Sequence, residues 1–234
     1  MKGYKEFVQA LLPKVTDSAK MVFTPNGVKS AVKVMDGNLL ITSSLKTDNT
    51  IEDTIAIPNL SDLSKAIKIM GDFDLGIVKV NDTPSKLQLK NEFSKVGLFL
   101  MDGDYLSYPE LAKEPAFVVD MEIPVTHLNS LKSMYGLIDG DVTILSITDK
   151  SMSISVGKQS RNDSNSGKIE LPVEADTDTS ISVRSEALQS ILSTIDDEDT
   201  VSISISEPMV KLSVKSCSDG YELSTDYYIV AVTD

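Results

Sequence analysis

The sequence predicts an α+β fold made of two tandem copies of one unit, each with two short helices packed on mainly antiparallel sheet. Three observations carry this. Apolar residues recur at helical spacing in only four short segments, and nearly everything else alternates with period two. The order of helices and strands in the first half then repeats in the second. At 234 residues the chain has room for one large domain or two small ones, and 41% hydrophobic residues suffice for a core without staples. With 24% charged residues and this periodicity, disorder is excluded.

Taken in order, Tyr4, Phe7, Val8, Leu11, Leu12 and Val15 follow helical spacing over 4–15, with Pro13 expected to end or kink that helix. Strand-like alternation follows in GVKSAVKVM and NLLITSSL, with Met35-Asp36-Gly37-Asn38 as the turn between them, and the set closes on IEDTIAIP. Leu60, Leu63, Ile67 and Met70 form the second stripe, opened by Asn59 or Ser61 and closed by Gly71. GIVKV, KLQLK and KVGLFLM are three further strands. The stretch 101–115, MDGDYLSYPELAKEP, reads as an exposed connector. In the second half Leu128, Leu131, Met134 and Tyr135 form a third helix over 126–135, stopped by Gly136. Leu188, Ile191, Leu192 and Ile195 form a fourth over 186–195, with Ser185 as N-cap. Between and after them alternate DVTILSI, SMSISV, SISV, VSISIS, VKLSVKS and DYYIVAV, the last two joined by a turn at Ser218-Asp219-Gly220. The division is a first domain at 1–101, a connecting loop at 102–116 and a second domain at 117–234.

Composition removes several chemistries. One histidine (His127) and one cysteine (Cys217) leave no triad, His-ligated metal, Cys-cluster zinc site or internal disulfide to build. No G-x-x-x-x-G-K or G-x-G-x-x-G appears, so nucleotide hydrolysis and dinucleotide binding lack support. Asp163, Asn165 and Glu174 have part of a calcium-loop spacing, but Gly167 falls one place early and no helices flank it, so a hairpin loop is expected. Asp196-Asp197-Glu198-Asp199 reads as a solvated turn, and His127 and Cys217 as structural. No metal, cofactor or enzymatic activity is expected. The N-terminal stretch has no signal-peptide pattern and no run of 18 apolar residues occurs, so an intracellular protein with no membrane span is expected. The net charge of −13 is uneven: residues 1–117 carry 14 basic and 15 acidic side chains, and 118–234 carry 8 and 20. Such acidity ordinarily argues against nucleic acid.

The order and spacing of several stretches nevertheless resemble the DNA sliding clamps of the proliferating cell nuclear antigen type and their phage counterparts. These are Gly27-Val28 followed by Val34-Met35-Asp36; Phe99-Leu100-Met101-Asp102 entering the connector; the run 117–171 with a hairpin around Ile138-Asp139-Gly140-Asp141; and Pro208-Met209-Val210 followed by Tyr227-Tyr228-Ile229-Val230-Ala231. The resemblance spans nearly the whole chain. Departures are the tail Val232-Thr233-Asp234, the acidic second half and a last helix without lysine.

What the resemblance implies is a non-enzymatic, ring-forming DNA-clamp fold. A head-to-tail homotrimer would encircle duplex DNA without reading its sequence and tether DNA polymerase, and an ATP-dependent clamp loader would open it. The edge strand in 93–101 would pair with the strand in 167–173 of the next chain. The helices would turn Lys5, Lys14, Lys20, Lys65, Lys68, Lys132 and Arg184 toward phosphates. Met35, Leu106, Tyr108, Pro109, Pro208, Tyr228, Ile229 and Val230 would flank a pocket for partner peptides. The competing expectation is an acidic β-rich structural or assembly protein of a phage or bacterium that binds only protein partners.

Overall fold

Period-two stretches become strands and the four apolar stripes become helices in the computed structural model, which describes residues 2–12, 14–111, 113–148, 150–157, 166–173 and 178–232. The first half runs α1 (Tyr4–Ala10), β1 (Ala19–Thr24), β2 (Gly27–Val34), β3 (Leu39–Lys46), β4 (Asp53–Ile57), α2 (Leu60–Met70), β5 (Asp74–Val80), β6 (Thr83–Lys90) and β7 (Lys95–Phe99). The second runs β8 (Val119–Glu122), α3 (Val125–Leu137), β9 (Val142–Thr148), β10 (Ser151–Gly157), β11 (Gly167–Pro172), β12 (Thr179–Arg184), α4 (Ser185–Leu192), β13 (Thr200–Ile205), β14 (Met209–Ser218) and β15 (Tyr221–Val230). From α1 to β7 and from α3 to β15 the order is the same. The repeat extends to topology: β1–β4 assemble as β4-β1-β2-β3, and β9–β12 as β12-β9-β10-β11. Neighbouring strands run antiparallel, with registers such as Met21↔Ser30, Lys20↔Ala56 and Ile154↔Leu145.

Contacts group the chain into two compact units that do not divide it at one point. The first comprises 1–34, 40–110 and 215–225; the second comprises 35–39, 111–214 and 226–234. In the first unit α1 and α2 pack together, with Gln9 Nε2 donating to Ser64 Oγ at 2.7 Å. Their core is Tyr4, Phe7, Leu11, Leu60, Leu63 and Ile67 against Phe23, Met21 and Ile55, all nearly inaccessible. Also inside this unit, β3 pairs with the first half of β15: Ser43 and Thr225 hydroxyls meet at 2.8 Å, and Lys46 bridges Glu222 at 3.0 Å. In the second unit α3 packs against α4 over Leu128, Leu131, Leu188 and Ile191, and β14 and β13 separate β15 from β8.

Helix ends follow local chemistry more closely than hydrophobic stripes. For α2 the expectation holds to the residue: the Asn59 side chain accepts from Asp62 N at 3.0 Å, and Gly71 ends the helix at φ 64°. α1 stops at Ala10, well short of 15, because Leu12 takes φ 53° and its carbonyl receives the amides of Val15 and Thr16. The residue before a proline is disfavoured in the helical region, which ends the helix even though Leu11 and Leu12 are buried. Pro13 itself lies outside the described residues. Gly136 does not stop α3, which continues to Leu137. Ser185 is not an N-cap but the first residue of α4; its hydroxyl is buried and shared with Thr143 at 2.9 Å, and the helix ends at Leu192. Residues 138–141 link α3 to β9 rather than forming a hairpin. The loop holding Asp163 and Asn165, together with Glu174, Thr233 and Asp234, lies outside the described residues.

One glycine is irreplaceable on steric grounds. Gly27 opens β2 at φ 140°, and a Cβ there would sit 1.9 Å from the Leu45 carbonyl oxygen. Gly27→Ala should therefore cost at least about 2 kcal/mol or prevent folding. Urea denaturation with an unchanged midpoint would contradict this close approach.

Candidate functional site

The two helix pairs present different chemistry to solvent. On α2, with Leu63, Ile67 and Met70 turned inward, Lys65 and Lys68 emerge on the opposite face, both exposed. Lys65 also meets Asp62 at 3.3 Å, an exposed pair one turn apart. Such a pair contributes about 0.3 kcal/mol. Lys5 on α1 and Lys14 after it are exposed as well. In the second unit Lys132 is exposed on α3 and Arg184 on the residue before α4. Lys20 is different. It lies within β1, where no helix carries it, and its ammonium donates to the carbonyls of Gly103 at 2.9 Å and Leu106 at 3.4 Å. It holds the connector, a role that its sequence position did not disclose.

Among the described residues six strands, β4, β5, β7, β8, β11 and β12, end a sheet, and two of them are the counterparts of the internally paired β3 and β15. β7 ends the three-stranded sheet β5-β6-β7, and β11 ends β11-β10-β9-β12; neither has a second partner strand among the described residues. Each is flanked by exposed apolar side chains. In the first unit the turn after β6 is fastened to the end of α2, with Asn91 Nδ2 donating to the Met70 carbonyl at 3.0 Å. That turn carries Phe93, 92% exposed, and the end of α2 carries Ile69, 81% exposed. In the second unit Gly167, at the start of β11, lies so close to the end of α3 that a Cβ would meet Ile138 Cδ1 at 2.8 Å and Met134 Sδ at 2.9 Å. Leu137, 82% exposed, sits in the same stretch. The sequence did hold a signal for Ile69 and Leu137, since each falls off the buried stripe of its helix.

The expected peptide-pocket residues separate into distinct environments. Within the first unit Leu106, Tyr108 and Pro109 are half-buried in a connector shaped by a 3₁₀ turn, which Asp102 caps by accepting from Asp104 N at 3.0 Å. Burial, then the Glu110 charge, raises the pKa of Tyr108. Within the second unit Met35, Pro208 and the end of β15 come together. Val230 N donates to Asn38 O at 2.9 Å, Asn38 N to Met35 O at 3.0 Å, and Ala231 N to Pro208 O at 3.0 Å. Val230 and Pro208 are exposed there. Ile229 is not: at 1% exposure it shares the inward face with Tyr227, as strand alternation requires, and offers a partner no surface. Tyr228 is buried too, on the opposite face.

Tyr228 belongs to a polar cluster that sequence reading missed. Lys211 bridges Glu114 at 2.7 Å, approaches Asp226 at 4.0 Å, and lies 5.5 Å from the Tyr228 ring centre and 5.8 Å from that of Phe117. The Tyr228 hydroxyl donates to the same Glu114 oxygen at 3.2 Å, and Ser213 Oγ donates to Asp226 at 2.6 Å. The hydrogen bond from Lys211 is the main cause that lowers the Glu114 pKa. For Lys211, burial works against the charge, but Glu114 and Asp226 outweigh it and raise the pKa. The cluster fastens the far end of the connector to β14 and β15.

His127 is the third residue of α3, with an enclosed Nδ1 that has no hydrogen-bond partner, and Cys217 is exposed near the end of β14. The 196–199 stretch is an exposed turn in which Asp199 accepts from Asp196 N at 2.8 Å. Among the described residues no group of three or more His, Cys, Asp or Glu could hold a metal ion, and no helix is long and apolar enough to cross a membrane.

No protein-family profile and no curated protein matches the sequence. Solved structures do match the fold. The chain is similar to PCNA of A. fulgidus, in a structure with the C-terminal region of FEN-1 bound, at 13% identity and TM-score 0.77, covering 98% of this chain and 95% of that one. It is similar to the proliferating cellular nuclear antigen of Entamoeba histolytica at 15% identity and TM-score 0.75, covering 98% and 95%. PCNA of Thermococcus kodakaraensis matches at 18% identity and TM-score 0.74, covering 99% and 96%. The fold is that of PCNA sliding clamps, two tandem α+β clamp units in one chain.

Burial also sets an alkaline limit on the fold. Tyr228 is pushed up from 10.0 to about 12 by burial, with Asp226 adding to it, and burial likewise pushes Tyr135 to about 12. A raised folded pKa means that this contribution is whole below pH 10 and is lost as pH rises toward 12. Unfolding free energy should therefore fall over that window, and Tyr228→Phe should make the decline shallower. Urea melts at a series of alkaline pH values check this; an unchanged slope in the variant would contradict it.

Proposed function

We propose that this chain is a DNA sliding clamp: three copies close head to tail into a ring around duplex DNA and tether DNA polymerase to it. The observation that supports this best is the repeat's own strand pairing. β3, the last strand of the first four-strand set, is covered by β15, the last strand of the second repeat. Its equivalent β11 and the equivalent of β15, which is β7, are both left at sheet edges. Pairing β7 of one copy with β11 of the next reproduces between chains a junction already made within one, and an interface of this heterologous kind closes by rotation. Ile69 and Phe93 on one side and Leu137 on the other supply apolar surface to bury there.

In this reading the functional repeats are 1–101 and 117–234, joined by the connector at 102–116. The ring holds DNA topologically, so phosphate contacts can be weak and indifferent to sequence, which suits exposed lysines on short helices. Nothing in the sequence carries a nucleotide-binding motif, so opening the ring falls to a separate ATP-dependent loader. Partner proteins dock through short peptides. The bound FEN-1 segment in the A. fulgidus structure supports this mode, and Leu106, Tyr108 and Pro109 of the connector are the contacts we assign.

Two experiments test the reading. Sedimentation should give a mass three times 25.4 kDa, about 76 kDa, and Leu137→Asp or Phe93→Asp should shift it to the monomer without loss of secondary structure. A wild-type monomer at high concentration would contradict the ring. Leu106→Ala with Tyr108→Ala should weaken binding of a peptide from the polymerase C-terminus by roughly 30-fold, the effect of losing about 2 kcal/mol, while leaving the mass unchanged. Equal peptide affinity for wild type and double mutant would move the docking site away from the connector.

A further inference from the structure

We infer that, within the proposed clamp, duplex DNA is tracked by the first unit alone, and that the second unit's helix pair is electrostatically closed to it. This rests on the sliding-clamp reading and narrows where its DNA contact lies. The two units carry equivalent helix pairs with different local balance. α1 and α2 bear exposed Lys5, Lys65 and Lys68 against Glu6 and Asp62, with exposed Lys14 just beyond α1. The helices α3 and α4 bear only Lys132, offset by Glu186 in the first turn of α4.

The cleft that Lys5 lines also carries Asp72, Asp74 and Glu92, so the surroundings set the contrast between α2 and the second helix pair. Asn129 on α3 donates to Asp197 Oδ1 at 2.9 Å, which ties the Asp196-Asp197-Glu198-Asp199 turn against the polar side of α3. Arg184, the second unit's other candidate cation, lines a cleft of about 640 Å³ whose walls also carry Asp139, Asp141 and Glu186. Carboxylates thus share the cleft that Arg184 lines, and the acidic turn is tied to the helix that carries Lys132. Two serines on α3 are spent locally: Ser130 donates to Thr126 O and Ser133 to Asn129 O. A phosphate approaching this surface meets net negative charge, whereas one approaching α2 meets two lysines a single turn apart.

The test measures binding of a short fluorescent duplex across a salt series by wild type and three variants. Lys65→Ala with Lys68→Ala should weaken binding about tenfold at low salt and flatten the log–log salt slope by about 0.9 for each phosphate no longer neutralised. Lys132→Ala with Arg184→Ala should change affinity by less than about twofold and leave the slope intact. Glu186→Gln with Asp197→Asn should tighten binding. Comparable losses from the two cation pairs, or no gain from removing the carboxylates, would overturn the inference while leaving the clamp reading standing. A wild-type protein with no salt-dependent affinity for any duplex would overturn the clamp reading itself.

Discussion

A strand at the edge of a sheet carries backbone donors and acceptors that must be satisfied by something, and two such edges here, β7 and β11, are the repeat counterparts of strands that the chain joins internally. Its repeat solves the problem once internally, where β15 covers β3. In the proposed ring the same solution would join β7 of one copy to β11 of the next, both strands lying at sheet edges. Lys95 on β7 and the Lys168–Glu170 pair on β11 put charge beside these edges, which suits a selective junction more than indiscriminate strand addition. Exposed Phe93, Ile69 and Leu137 would be liabilities on an isolated molecule and become interface once the edges pair. The proposed function follows from that closure, since a ring holds DNA by topology and asks little of any individual contact.

Electrostatics then divide the labour within the chain. An acidic protein can bind a polyanion when the field at the contact is set by neighbours within a Debye length rather than by total charge. In the proposed clamp the lysines of α2 would meet that condition, and the carboxylates on and beside α3 and α4 would oppose it. Polar residues elsewhere fix the connector at both ends: Lys20 holds the carbonyls of Gly103 and Leu106, and Lys211 holds Glu114. A connector anchored in this way keeps Leu106 and Tyr108 half-buried, where free loop residues would lose conformational entropy on docking.

Much of this was legible in the sequence because the informative signals were local. Asn59 and Gly71 bound α2 correctly, alternation marked the strands, and the order of elements exposed the repeat. Errors arose where a local preference overrode a stripe, as when Leu12 turned the chain away before Val15, or where a glycine did not act as a stop, as at Gly136. Side-chain facing misled at Tyr228 and Ile229: alternation places them on opposite faces, but it cannot say that both faces are covered. Lys211 and Glu114 lie 97 positions apart, and nothing in either neighbourhood announces their pairing. Lys20 looked like a surface cation because its acceptors are backbone carbonyls, which have no sequence signature.

Hydrogen exchange at the two open edges reads the central constraint directly. Amides of 95–99 in β7 and 167–172 in β11 should gain protection together as protein concentration rises, while buried amides of β1 and β9 stay protected throughout. Exchange in both edge segments that is fast and independent of concentration would contradict the account, because no second copy would then be covering either edge.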